Sequence, residues 1–72
     1  MGKMITVKIG KLPGRVSEYT LDEGSTIGQA LLLAEIEQAI GEEIRLNGVM
    51  VTPSKSLGDG DVIHLVKQVK GN

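Results

Sequence analysis

Asp59 and Asp61 flank a glycine in the run Leu57-Gly58-Asp59-Gly60-Asp61-Val62-Ile63, and the single histidine, His64, follows at once. These are the residues whose types and spacing could do chemistry. Two carboxylates spaced Asp-x-Asp suit a hard cation, but a calcium loop needs further oxygen ligands and a late bidentate carboxylate, which Val62-Ile63-His64 does not supply. The stretch reads as a turn. His64 has no cysteine or hydroxyl constellation beside it, so nucleophilic or general-base catalysis lacks a second member. It reads as an exposed strand histidine. No catalytic residue, metal or cofactor is expected, and the chain is not expected to be an enzyme. What remain are surfaces: Lys8, Arg45, His64, Val66 and Gln68 on a sheet face, and the tail Lys70, Gly71 and Asn72.

Those surfaces need strands to carry them. Ile5, Val7 and Ile9 alternate with Thr6 and Lys8, the period of two of a half-buried strand, and Lys11-Leu12-Pro13-Gly14 supplies a turn. A second strand is expected at about Arg15 to Leu21 with Ser17, Tyr19 and Leu21 inward; Val16 competes for the inward phase, and a bulge would reconcile the two. Thr26 and Gln29 form a capping box, so a helix starts near Ile27. Ile27, Ala30, Leu31 and Ala34 share one stripe, Leu33, Ile36 and Ile40 widen it, and Gly41 is expected to end the helix. Ile44 and Leu46 form a short strand joined through Asn47-Gly48, a dipeptide suited to a two-residue hairpin, to Val49-Met50-Val51. Leu57 is expected to tuck into the core, and Val62 to Val69 to form the last strand. The first and last strands are expected to lie parallel in the sheet centre, with the helix across one face.

Size and charge bound the function. A chain of 72 residues makes one domain, residues 1–72, and buries roughly 60% of its unfolded surface, too little for a deep catalytic cleft. Tyr19 is the only aromatic, so no base-stacking platform exists, and eight Lys or Arg against nine Asp or Glu leave a net charge of −1. A nucleic-acid partner is not expected. No apolar run reaches membrane-spanning length, and the absence of cysteine suits a reducing compartment, so a soluble, cytoplasmic protein is expected. The loose myristoylation pattern of Met1-Gly2-Lys3-Met4-Ile5-Thr6 is read as chance because Thr6 is needed inside the first strand; residues 1–3 read as an extension ahead of it.

The β-β-α-β-β-β order, with Ser25-Thr26-Ile27-Gly28 opening the helix, Leu46-Asn47-Gly48 in the hairpin and Leu57-Gly58-Asp59-Gly60-Asp61-Val62-Ile63 entering the last strand, resembles the β-grasp sulfur carriers of thiamine and molybdopterin synthesis. The likeness spans nearly the whole chain, and the segment from Ile63 to Asn72 is also similar to the carboxyl end of ubiquitin. It implies an α+β, ubiquitin-like β-grasp fold with a mixed sheet and one helix. Such carriers end in Gly-Gly, whose carboxylate an adenylating enzyme activates. Here Asn72 stands last and only Gly71 matches, so the chain as written is not expected to be a competent adenylation substrate, and comparison with Asn72→Gly would show whether one residue disarms it. Ubiquitin's apolar patch is not reproduced either, since Arg45 stands where an isoleucine is expected, and its receptors are not expected to bind.

Three functions from different classes follow: a non-catalytic protein-binding module using the sheet face and tail, a sulfur carrier, and a structural subunit of a larger assembly. The first is preferred. Thr6, Lys8, Arg45, His64, Val66 and Gln68 should share the open face, where the cations would attract an acidic protein partner and Val66 would supply apolar contact. A partner carboxylate would favour a charged histidine, so binding is expected to strengthen as pH falls toward about 6 and to weaken with salt.

Overall fold

In the computed structural model, which describes residues 2–67, the alternation of Ile5, Val7 and Ile9 becomes β1 (Met4–Lys11), and all three side chains are buried. β2 (Val16–Asp22) runs back beside it with Ile5 opposite Leu21, Val7 opposite Tyr19 and Ile9 opposite Ser17. Ser17, Tyr19 and Leu21 therefore hold the inward phase, as expected. The bulge is not there: the register is unbroken up to Gly10 opposite Val16, so Val16 belongs to the other face. The space beside Gly10 explains this. A Cβ there would lie 2.4 Å from the Arg15 carbonyl oxygen and 2.9 Å from Val16 Cγ1, so Val16 lies against a residue with no side chain of its own.

α1 (Ile27–Ala34) opens with the expected capping box. The Gln29 N–H donates to Thr26 Oγ1 at 3.3 Å, and the Thr26 N–H donates to Gln29 Oε1 at 2.8 Å. The next helix donors are also satisfied, Ile27 N–H by the Lys55 carbonyl and Gly28 N–H by that of Pro53, while Leu57 N–H donates to Ser25 O. These bonds fix the loop so that Leu57 enters the core.

The helix is shorter than its apolar pattern predicts. It ends at Ala34, because Glu35 takes a left-handed conformation, φ 58° and ψ 38°, from which its N–H returns to Leu32 O and the Ile36 N–H to Leu31 O. That reversal turns Ile36 against the core. Leu33 and Ile40 consequently do not widen the buried stripe; both are exposed, and only Ile27, Ala30 and Leu31 of the helix are fully buried. Gly41 ends no helix but turns the chain at φ 88° into the next strand. A non-glycine residue in the left-handed region is strained, and glycine relieves that strain while giving the unfolded chain more freedom. Glu35→Gly is therefore expected to raise stability by about 0.5–1 kcal/mol, read as a higher urea midpoint; a loss of that size would contradict the cap geometry.

β3 (Glu42–Leu46) and β4 (Val49–Val51) form the expected hairpin, with Asn47 at φ 51° and Gly48 at φ 88° supplying the two positive angles of its turn. β5 (Val62–Lys67) completes a five-stranded sheet of order β2-β1-β5-β3-β4. β1 and β5 are parallel neighbours, as expected, with Lys8 beside Val62 and Gly10 beside His64. The helix covers one face, and Ile5, Val7, Ile9, Leu21, Ile27, Leu31, Ile44, Leu46, Ile63 and Leu65 meet beneath it together with Ala30 and Leu57. Residues 68 and 69, expected to extend β5, lie outside the described residues. No helix among the described residues is long and apolar enough to cross a membrane.

Glu42 ties the segment after the helix to the sheet. Its carboxylate accepts the Ala39 N–H at 2.7 Å and lies 3.2 Å from the Lys11 ammonium, and Gln38 Nε2 donates to its carbonyl at 2.8 Å. The Ala39 N–H foremost, and the Lys11 charge with it, hold the Glu42 carboxyl below its ordinary value of 4.5. A depressed folded value means that the stabilisation is complete above that ordinary value and is lost as pH falls through the lower folded one. Glu42→Gln is expected to flatten this acid loss; urea midpoints at pH 7 and about 3.5 check it, and equal acid sensitivity of the two chains would contradict it.

Candidate functional site

The Gly-Asp-Gly-Asp turn is where the sequence pointed first, and its carboxylates are occupied by the fold. Asp59 Oδ1 accepts the Thr6 N–H at 2.8 Å, and the Gly60 N–H donates to Thr6 O at 2.8 Å, so the turn clamps the start of β1. Asp61 Oδ2 accepts the Gly58 N–H at 2.7 Å and its Oδ1 accepts Asn47 Nδ2 at 3.1 Å. Asn47 in turn accepts the Val62 N–H at 3.0 Å through Oδ1, linking the hairpin turn to the entry of β5. Both aspartates thus serve backbone and turn donors. Among the described residues no group of three or more His, Cys, Asp or Glu side chains is placed to hold a metal ion.

The face left bare by the helix is set by strand register. Val16, Gly10, His64, Arg45 and Met50 fall in one row across all five strands, because Gly10 pairs with both Val16 and His64, and Arg45 with both His64 and Met50. In the next row Lys8 lies between Glu18 and Val62. On the other side Val66 lies beside Glu43, and Leu12, whose N–H donates to Leu65 O at 2.9 Å, extends the edge of β1 toward it. Side chains directly opposite one another in a sheet have Cβ atoms about 4.5–5.5 Å apart, so each row is a continuous contact surface.

Arg45 and His64 are therefore direct neighbours, and Lys8 stands diagonally from His64 across the glycine. Val66 is one row away. Gln68, Lys70, Gly71 and Asn72 lie outside the described residues. The sequence reading missed two apolar members, Val16 and Met50, which end the central row and are 38% and 65% exposed. Only the register of β2 and β4 reveals them. It also missed the pairing of the cations: Arg45 Nε donates to Glu43 Oε2 at 2.6 Å, and Glu18 stands opposite Lys8. The Glu43–Arg45 pair was legible, because residues two apart on a strand share a face. The arrangement is a mixed surface: aliphatic at both ends of its central row, with the Arg15–Val16 backbone lying close over a buried Gly10, and a half-buried imidazole and matched charges between. His64 makes no side-chain hydrogen bond among the described residues, so its ring nitrogens are free to meet a partner.

No protein-family model matches the sequence, and no curated protein does. Among solved structures the chain is similar to Caldiarchaeum subterraneum ubiquitin, with 16% sequence identity, a TM-score of 0.57, and coverage of 97% of this chain and 100% of that one. The likeness is one of fold, and the fold is an α+β ubiquitin-like β-grasp.

Proposed function

We propose that this chain is a non-catalytic protein-binding module of the cytoplasm that holds its partner on the open sheet face. The observation that supports this reading most is the row Val16–Gly10–His64–Arg45–Met50, with Lys8, Val62 and Val66 beside it, on the side of the sheet that no helix covers. Aliphatic ends around a polar centre resemble the apolar core and polar contacts of a protein interface more than a small-molecule site. The partner brings a flat apolar surface and one or two carboxylates. Those carboxylates meet His64 and Lys8 directly and compete with Glu43 for Arg45, so charge fixes register and the aliphatic contacts supply most of the affinity.

The test is Arg45→Glu, measured against a partner recovered by co-purification. Reversal loses a surface ion pair and sets two carboxylates on one strand face, a cost of about 1 kcal/mol or less in stability. Affinity is expected to fall about tenfold or more, and further in low salt than in high salt. Unchanged affinity, with the partner footprint at Glu35 and Gln38 on the helix side, would contradict the reading.

A further inference from the structure

From Val16 to Ile44 the chain carries seven carboxylates and not one lysine or arginine. Glu42 and Glu43 are engaged by Lys11 and Arg45. Glu35 and Glu37 take part in no ion pair among the described residues. They border an open groove of about 700 Å³ at the C-terminal end of α1, floored by Leu31, Leu32 and Ile36. Leu32, on its floor, is 80% exposed.

A second observation singles out the same place. Glu35 holds the left-handed cap at φ 58° that glycine or asparagine ordinarily fills, so the backbone keeps a strained residue whose carboxylate stands at the groove rim. Packing does not require that side chain, since Glu35 is exposed.

We propose that this groove is a docking site for a cationic amphipathic segment of a protein partner. Its apolar side lies on Leu31, Leu32 and Ile36, and its lysines or arginines meet Glu35 and Glu37. The unpaired carboxylates select this occupant: an acidic segment would be repelled, and so would an anionic lipid surface. The groove is on the helix side of the sheet, away from His64 and Arg45, so the chain can hold two partners at once.

A helical peptide of about 14 leucines and lysines, with the leucines on one face, is the probe, titrated into the isotope-labelled chain and followed by amide shifts and a dissociation constant. Its counterpart with glutamate for lysine, and vesicles of phosphatidylcholine with phosphatidylserine, are the comparisons. Shifts are expected at Leu31, Leu32, Glu35, Ile36 and Glu37, with no binding of the acidic peptide or the vesicles. Leu32→Ser, which keeps every charge and alters an exposed side chain, is expected to weaken binding about tenfold. Glu35→Gly is expected to weaken it about threefold although that variant is the more stable fold, and Arg45→Glu is expected to leave it unchanged. Unaltered affinity in Leu32→Ser would reduce the effect to general charge attraction and overturn the proposal, as would binding to the vesicles or no binding of the basic peptide. None of these outcomes bears on the sheet face, which the Arg45→Glu experiment with its own partner decides.

Discussion

Leu65→Ala is expected to unfold most of the margin this domain has, at a cost of about 2–5 kcal/mol, while Val66→Ala, one residue along the same strand, is expected to cost less than about 1 kcal/mol. Leu65 is wholly buried in the central strand, whereas Val66 points to the open face beside Glu43. Truncating Leu65 removes transfer energy and leaves a cavity that β1 and β3 on either side hold open. A chain of 72 residues has in total only about 4–11 kcal/mol of stability, so the loss decides whether it folds at working temperature. Urea unfolding of the two variants checks the register directly. Equal losses at the two positions would mean that β5 presents the wrong face to the helix.

A second large effect is expected from the smallest change, Gly10→Ala. The added Cβ would stand 2.4 Å from the Arg15 carbonyl oxygen and 2.8 Å from Val16 Cα, both backbone atoms that cannot swing aside. The β1–β2 turn must open, at a cost of about 1–3 kcal/mol or more. Gly28→Ala is the control. Its Cβ would meet Pro53 at 3.5 Å or beyond, an ordinary contact, and alanine in a helix gains about 0.5–1 kcal/mol over glycine. The two substitutions are thus expected to move the urea midpoint in opposite directions. A neutral Gly10→Ala would show that the chain does not cross so closely there.

Most of the fold could be read from local chemistry because each local signal agreed with the global arrangement. Alternation at Ile5, Val7 and Ile9 set the core phase, Thr26 and Gln29 marked the helix start, and Asn47-Gly48 fixed the hairpin register. The helix end was not legible. Apolar spacing runs on through Ile36 and Ile40, and nothing in a glutamate announces a left-handed cap, so the pattern pointed to Gly41 where backbone reversal at Glu35 had already ended the helix. The candidate face was half legible. His64 and Arg45 could be placed on it from alternation, but Val16 and Met50 joined them only once strand order and register put four inter-strand pairings in one line. Gly10 was the missing clue: a glycine inside a strand marks a close approach of another backbone, and reading it so would have assigned Val16 to the open face without a bulge.

In the proposed function, the bare sheet face is where this protein meets its partner. Its most direct test is an amide-shift map of the isotope-labelled chain on adding the co-purified partner. The largest changes are expected along the central row, at Val16, Gly10, His64, Arg45 and Met50, with Lys8 and Val66 beside them and little change at Leu33 or Glu37. Changes confined to the helix and residues 35–41, with the central row silent, would contradict it.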